Sequence, residues 1–357
     1  MYHTYLTILI PAIVAAVVTY IGIKFTMGYM MDSGVTAMDH NKKKPVKLAS
    51  GVGISVAFGL TLGLLVYIFG ASFPTPQHPI YQPIKMQILI DLFGIMLSIL
   101  LISVVGLLDD INVRSEMVQA TDMKDTKKGM KQWQKPVLTL LGAIPLMVIN
   151  AGVPLVRVPF IGAINLGIVY PLIVIPLAVV FAANAFNLLG GFDGIATGTG
   201  LIASLALLLY SVAFGVGTSG YLGTMVAAVL SACLVVMFAF NVYPAKVIPG
   251  DSFTYGVGAA LAGIMILGSM ESFGLIIIFP WLVEFILHLR KKFKVRDLGI
   301  LQKDMTFKAP YGKKIYSWTH LIMNLKRCRE WEVSMYMWFI EIGFVALAFG
   351  LKFLNLL

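Results

Sequence analysis

The sequence is poor in charged residues and almost free of cysteine. Charged side chains make up 12% of its 357 residues, against roughly 25% in a typical soluble domain. Hydrophobic residues make up 59%, and apolar runs near 20 residues recur, the length needed to cross ~30 Å of hydrocarbon. The composition excludes an ordinary soluble enzyme and predicts an all-α polytopic membrane protein, with one integral membrane domain over residues 1–357.

Several familiar site signatures are absent from the sequence. The two cysteines, Cys233 in an apolar run and Cys328 in a basic segment, imply no disulfide framework. Zinc-type His/Cys spacing, the P-loop, GxSxG and the paired Rossmann glycines are also missing. The first 23 residues contain no Lys or Arg, which argues against a cleaved signal peptide. We therefore predict that the first apolar run is a retained span.

About ten transmembrane helices are predicted from the apolar runs, with the turn "GSMESFG" separating the eighth from the ninth. The segment at 153–167 is broken by Pro and Gly and rich in β-branched residues, which predicts a short outer β-hairpin. No internal repeat of the transporter kind is visible. The predicted spans are 4–30, 51–72, 87–108, 136–151, 169–188, 195–215, 221–242, 253–270, 274–290 and 332–355.

The basic residues predict the orientation of these spans. With both termini outside, 24 of the 27 Lys and Arg residues fall in inner loops, as the positive-inside rule requires. This distribution accounts for the net charge of +10 without nucleic acid. We interpret "KKKPVK" (42–47) as a topology signal and a contact for anionic lipid. The predicted cytoplasmic loops are 24–50, 109–135, 188–194, 243–252 and 288–331.

Polar residues gather at the inner ends of the predicted spans. Each alone has a simple explanation, since an Asp at a helix end is usually a solvated cap and an amide can bond a neighbouring helix. Polar groups at a membrane boundary are costly, however, so their clustering beside the basic loops favours a functional site. The residues concerned are Asp109, Asp110, Asn184, Asn187, Asp193 and Asp251.

The chemistry that suits this set is phosphoryl transfer. Carboxylate and amide oxygens are the ligands that Mg²⁺ prefers, glycines allow the backbone to approach phosphate, and Lys or Arg neutralises phosphate charge. A secondary transporter is the main rival, but it would place polar groups near mid-membrane. The second, fourth, sixth and eighth predicted spans have few charged groups at their centres; Glu284 in the ninth span and Asp91 in the third are exceptions.

Four segments together resemble the polyprenyl-phosphate N-acetylhexosamine-1-phosphate transferases. In order they are "LLDDINVR", "NAFNLLGGFDG", "YPAKVIPGDSFTYG" and "HLRKKFKVRDLG". The likeness covers nearly the whole chain and is greatest to the eukaryotic and archaeal UDP-N-acetylglucosamine–dolichyl-phosphate branch. Two departures are an insertion near 116–130 and Asp193, where the eukaryotic branch has Asn.

The resemblance implies a role for each polar residue. Mg²⁺, with Mn²⁺ as an alternative, would be held by Asn187 and Asp251. Because neighbours on a helix point about 100° apart, Asp110 would orient Lys135 or the metal's water, and Asp109 would face the lipid phosphate. The implied catalytic residues are Asp109, Asp110 and Lys135, and the implied substrate-binding residues are Asn184, Gly191, Asp193, Arg290 and Lys292.

The resemblance also implies a reaction and a place in the cell. It implies transfer of N-acetylglucosamine-1-phosphate from UDP-N-acetylglucosamine to a polyprenyl or dolichyl phosphate at the cytoplasmic face, with release of UMP. This would begin lipid-linked glycan assembly for protein N-glycosylation; another UDP-N-acetylhexosamine and a cell-surface polymer are the alternative. We expect the protein in the plasma membrane of a prokaryote, an archaeon, and the endoplasmic reticulum membrane is the alternative. A homodimer is compatible with this interpretation. The segment 309–332 is either an amphipathic surface helix or a lid.

Overall fold

The computed structural model describes residues 2–73, 84–112, 130–158 and 162–357, and within them the chain is predominantly helical. A π-helical turn at Tyr170–Val174 leads directly into α5. The helices are α1 (Tyr2–Asp32), α2 (Ile54–Ser72), α3 (Met86–Asn112), α4 (Gln134–Val148), α5 (Ile175–Asn187), α6 (Ile195–Phe214), α7 (Gly217–Asn241), α8 (Asp251–Leu267), α9 (Glu271–Ile277), α10 (Phe279–Leu289), α11 (Trp318–Leu325) and α12 (Glu330–Phe353).

The predicted all-α polytopic membrane fold is confirmed, although the count of ten spans is not. Among the described residues, seven helical segments are long and apolar enough to cross a membrane, and α9 with α10 forms an eighth if the bent pair is one span. The apolar helices α4 and α8 contain 15 and 17 residues, short of the ~20 that a full crossing needs.

The ninth predicted span, 274–290, is not one straight helix. The structure begins α9 at Glu271, in the predicted turn, and bends the chain by 55° between α9 and α10. Pro280 stands in the first turn of α10, where its missing N–H is tolerated but where it cannot continue a preceding helix. The single-helix prediction was wrong because an apolar run carries no information about such a break.

Helix α8 lies at the centre of the bundle, with every residue after Asp251 buried. Small residues let its neighbours approach: a Cβ on Gly258 would lie 2.5 Å from the carbonyl oxygen of Ala182 in α5. Likewise, a Cβ on Gly106 in α3 would lie 2.4 Å from the carbonyl oxygen of Asp251. Such close helix packing through small residues is typical of membrane proteins. It sets the beginning of α8 against the end of α3.

Within the described ranges, three antiparallel β-hairpins connect the helices. The predicted hairpin near 153–167 is confirmed, with β3 (Leu155–Val158) paired to β4 (Gly162–Asn165). Two further hairpins, β1 (Thr36–Asp39) with β2 (Val46–Ala49) and β5 (Ile300–Leu301) with β6 (Phe307–Lys308), were not predicted. A parallel bridge between Ser50 and Ile248 ties the first hairpin to the loop that precedes α8. Loops that are distant in sequence therefore meet at one end of the bundle.

Candidate active site

A lysine between two carboxylates forms the centre of the candidate site. The Nζ atom of Lys135, at the start of α4, lies 2.7 Å from Asp109 Oδ2 and 3.1 Å from Asp251 Oδ2. Asp109, near the end of α3, also accepts a hydrogen bond from the backbone N–H of Met130 at 2.7 Å. The side chains of Lys135 and Asp109 are 15% and 3% exposed, whereas that of Asp251 is 28% exposed. Asp251 therefore presents the open side of this cluster.

Asp110 plays a different part from its neighbour. Its carboxylate accepts hydrogen bonds from the backbone N–H groups of Asp251 at 2.7 Å and Ser252 at 3.0 Å. These N–H groups belong to the first turn of α8 and have no partner within their own helix, so Asp110 caps α8 from α3. Of the two roles predicted for Asp110, the contact with Lys135 is not formed, because Lys135 contacts Asp109 while Asp110 is turned towards the beginning of α8.

Two glycines make room for the Asp110 carboxylate. Gly250 has φ +81°, and a Cβ there would lie 2.5 Å from Asp110 Oδ1. Gly51, with φ +77°, would place a Cβ 3.1 Å from the Cβ of Asp110. The glycine of "PGDSF" therefore serves both a left-handed backbone conformation and a close approach.

We expect Gly250→Ala to lower turnover at least tenfold, because the new methyl group would displace Asp110 from the start of α8. The matched control is Gly34→Ala, since Gly34 has φ +76° and nothing within 4 Å of its Cβ position. That control shares the positive φ but lacks the clash. Turnover assays and thermal unfolding of both variants make the measurement. Equal loss of turnover in the two would assign the effect to backbone strain alone.

The two asparagines of α5 have different surroundings. The Asn187 Oδ1 atom accepts a hydrogen bond from Thr254 Oγ1 in α8 at 2.8 Å, three residues after Asp251. Asn184 donates from Nδ2 to Thr139 Oγ1 at 2.9 Å and to the carbonyl oxygen of Val180 at 2.8 Å. Asn187 is thus directed towards the α8 end of the site, whereas Asn184 connects α5 to α4.

A second charged cluster surrounds Lys42, which lies between β1 and β2. Its Nζ atom is 2.8 Å from Asp39 Oδ2, 2.6 Å from Asp193 Oδ2 and 2.6 Å from Glu330 Oε2. The Lys42 side chain is 12% exposed, and its Nζ lies 4.6 Å from the centre of the Tyr243 ring. The interpretation of 42–47 as a contact for anionic lipid was wrong for Lys42, whose buried side chain connects four separate segments of the chain.

The protonation of this second cluster follows from its contacts. Burial acts to lower the pKa of Lys42, but hydrogen bonds to Asp193, Asp39 and Glu330 outweigh it and hold that pKa above its usual value. Burial raises the pKa of Asp193 above its usual value, although Lys42 and the backbone N–H of Ala245 oppose the change. Lys42 is therefore a fixed positive charge that holds the Asp193 loop in place.

The remaining predicted substrate residues lie in two other segments. Arg290 is exposed, donates to the carbonyl oxygen of Ile315 at 3.3 Å and lies 5.6 Å from the Tyr316 ring centre. Lys292 is exposed and has φ +51°. Gly191 has φ +120°, and a Cβ there would lie 3.5 Å from the Cβ of Asp297. The segment that follows α10 therefore lies against the Gly191 turn.

The first cluster has the charge and donor atoms of a cation and phosphate site. The carboxylates of Asp109 and Asp251 contact one ammonium group, and the carboxylate of Asp110 lies beside them at the beginning of α8, so the cluster has a formal excess of two negative charges. Hard oxygen donors with this charge suit Mg²⁺. The predicted loop 109–135, which includes the inserted region near 116–130, is described only in part, since 113–129 lies outside the described residues.

Sequence comparisons identify the family to which the chain is similar. The model of "Glycosyl transferase family 4" matches residues 92–269, which carry the first cluster. The chain is 32% identical over 346 residues to a Sulfolobus acidocaldarius protein, covering 96% of this chain and 95% of the relative. It is 31% identical to a Saccharolobus solfataricus protein, covering 96% of each. Both carry the provisional name UDP-N-acetylglucosamine–dolichyl-phosphate N-acetylglucosaminephosphotransferase.

A more distant bacterial relative shows the breadth of the likeness. The phospho-N-acetylmuramoyl-pentapeptide-transferase of Clostridium botulinum is 27% identical over 267 residues, covering 71% of this chain and 73% of the relative. The chain belongs to glycosyl transferase family 4, among the polyprenyl-phosphate N-acetylhexosamine-1-phosphate transferases.

Proposed function

We propose that this protein transfers N-acetylglucosamine-1-phosphate from UDP-N-acetylglucosamine to a dolichyl-type polyprenyl phosphate at the cytoplasmic face of an archaeal plasma membrane. The observation that carries the proposal is Lys135 held between Asp109 and Asp251 at the ends of three apolar helices. A phosphate on a membrane lipid and a water-soluble nucleotide could meet there. The printed names of the two archaeal relatives support this choice of donor and acceptor.

The proposed reaction is a displacement at phosphorus. An oxygen of the lipid phosphate attacks the β-phosphorus of the nucleotide sugar, the bond to the oxygen that bridges the two phosphorus atoms breaks, and UMP leaves with the electron pair. A phosphate monoester has a second pKa near ~6, so the acceptor is mostly dianionic at neutral pH. No strong base is needed, and acceleration comes chiefly from positioning and charge neutralisation.

The side chains divide this work between them. Lys135 supplies positive charge for the phosphate oxygens, and Asp109 fixes its position through the 2.7 Å ion pair. Asp110 holds the first turn of α8, which presents Asp251. Asn187 and Asp251 would hold Mg²⁺, and their hard oxygens and the excess negative charge fit that ion. When bound, Mg²⁺ withdraws charge from the diphosphate and orients it.

The first experiment follows two labels in purified membranes. UDP-N-acetylglucosamine labelled in the sugar and in the β-phosphate is incubated with a dolichyl phosphate and Mg²⁺. We expect both labels in the lipid and UMP as the other product. Transfer of the sugar label alone, with UDP released, would mean an ordinary glycosyltransferase and would overturn the proposal. Parallel reactions with UDP-N-acetylgalactosamine and the muramoyl-pentapeptide donor identify the sugar.

Metal removal is expected to abolish the transfer. With EDTA in excess we expect turnover to fall at least about 100-fold, because the diphosphate would then face the carboxylates unshielded. Restored turnover with Mg²⁺ or Mn²⁺ is the expected reversal. Undiminished turnover in EDTA would argue against a metal held by Asn187 and Asp251.

A further inference from the structure

Three potential metal ligands converge outside the site described above. Glu284 and His288, one turn apart on α10, are 2% and 3% exposed. The His288 Nε2 atom lies 3.1 Å from Glu284 Oε1 and 2.9 Å from Asp297 Oδ1, which belongs to the segment after α10. All three donor atoms lie within 4.8 Å of one another. No other such group of His, Cys, Asp and Glu occurs within the ranges that the structure describes.

Hydrogen bonding alone leaves this cluster incomplete. A single Nε2–H can be directed at only one oxygen, and here it pairs with Glu284 Oε1. Asp297 Oδ1 is buried and receives no hydrogen bond from any described residue. A buried acceptor that lacks a hydrogen bond destabilises the fold. Even with His288 protonated, two carboxylates and one imidazolium leave one net negative charge in a buried position.

We propose that Glu284, His288 and Asp297 bind a divalent first-row transition ion of the zinc class, separate from the catalytic metal. One imidazole nitrogen and two carboxylate oxygens are common zinc ligands, at about 2.0–2.2 Å. Ligands at the corners of a tetrahedron of that size lie about 3.4 Å apart. The observed separations of 2.9 and 3.1 Å are shorter than this value, so the two carboxylate oxygens would move away from His288 by a few tenths of an ångström when the ion binds. With neutral His288, a divalent ion makes the cluster electrically neutral.

The supporting contacts match those of a metal site. The other oxygen of Glu284, Oε2, accepts a hydrogen bond from the backbone N–H of Trp318 at 2.9 Å, as partners behind metal ligands commonly do. The neighbouring histidine, His320, is engaged on both nitrogens by the backbone of Tyr316 and Arg296. The side chain of Asp297 is 22% exposed, which gives the ion a route of entry.

The proposed ion would fasten the segment after α10 in place. Asp297 lies beside Gly191, whose loop also carries Asp193. Thr319 Oγ1 donates to the carbonyl oxygen of Asp297 at 2.9 Å, so the same point also holds the beginning of α11. An ion bound only by the folded chain stabilises that fold by mass action. The role is structural, and it stands or falls independently of the sugar donor.

The test measures metal binding directly and uses no substrate. Full-length protein in detergent, stripped with chelator and then saturated with Mg²⁺, is titrated with Zn²⁺ and, as a spectroscopic probe, Co²⁺. We expect one equivalent of bound Zn²⁺, a visible Co²⁺ absorption band and a rise in the unfolding temperature with Zn²⁺. Asp297→Asn should weaken Zn²⁺ binding more than about tenfold, since even substitutions behind the ligands cost 10–100-fold.

The matched control is Asp251→Asn, which alters the other carboxylate cluster and should still bind one Zn²⁺. If Asp297→Asn does not fold, Glu284→Gln replaces it in the same titration. If Mg²⁺-saturated wild-type protein binds no Zn²⁺, the three side chains form only a hydrogen-bonded ion cluster and the proposal is overturned. Loss of Zn²⁺ in Asp251→Asn but not in Asp297→Asn would also overturn it, since the ion would then occupy the catalytic site.

Discussion

Asp251→Asn is expected to lower turnover by about 10³-fold or more. The substitution keeps the size of the side chain and the backbone N–H that Asp110 accepts, but it removes the negative charge 3.1 Å from Lys135 Nζ. It also replaces a proposed Mg²⁺ ligand by a weaker one. Loss of a single preorganised charge or dipole at a reacting phosphate or oxyanion costs about 10²–10³-fold, and this residue is proposed to act on both metal and lysine.

The matched control for that result is Asp91→Asn. Asp91 is also a buried carboxylate, 6% exposed, but it lies near the other end of α3 and accepts a hydrogen bond from Gln87 at 3.0 Å. We expect its turnover to stay within about threefold of the wild type. Turnover near the wild-type value in both variants would remove Asp251 from the mechanism. A large loss of turnover in both would instead point to a general effect of altering carboxylates in the bundle.

Lys135 gives a second check on the same cluster. Groups that act as a unit show strongly non-additive losses. We therefore expect Lys135→Gln combined with Asp251→Asn to be no worse than the poorer single variant. If the loss of turnover in the double variant equals the product of the two single losses, Lys135 and Asp251 do not act as one unit in catalysis.

The parts of the fold that depend on the length of apolar runs in the sequence were predictable. Runs near 20 residues became helices such as α2, α6 and α7 because hydrocarbon requires internally satisfied backbones. The bend before α10 was not predictable from hydropathy, because Phe279, Pro280 and Trp281 are as apolar as a straight span would be. The hairpin of β1 and β2 was likewise not predicted, because the loop 24–50 was assigned from its basic charge alone.

Within the candidate site, the sequence spacing showed that Asp109 and Asp110 have different roles, but it did not show which residue has which role. Adjacent Asp109 and Asp110 had to point about 100° apart, but which one meets Lys135 depends on the packing of α3 against α4 and α8. Asp297 could not be connected to His288, because a nine-residue separation outside a helix fixes no distance. Gly250 was not among the predicted site residues, because the sequence does not show that the Asp110 carboxylate approaches it.

Lys42→Met is expected to destabilise the protein strongly. The variant would leave the carboxylates of Asp39, Asp193 and Glu330 close together without the ammonium that contacts all three at 2.6–2.8 Å. Removing one partner of a buried ion pair costs about 3–5 kcal/mol, because a charge remains buried without compensation. Thermal or denaturant unfolding in detergent should show this as a large fall in midpoint. We also expect weaker nucleotide binding, because Asp193 lies in the loop that Lys42 holds.

The neighbouring Lys43 separates this explanation from a simple loss of basic charge. Lys43 is exposed, so Lys43→Met changes the composition identically and should alter the free energy of unfolding by no more than about 0.5 kcal/mol. Equal stability of the two variants would mean that the Lys42 contacts contribute little. Adding Glu330→Gln to Lys42→Met should recover part of the lost stability, because it removes one of the stranded charges. Two adjacent lysines would then be shown to have different physical roles, determined by contacts with residues up to 288 positions away.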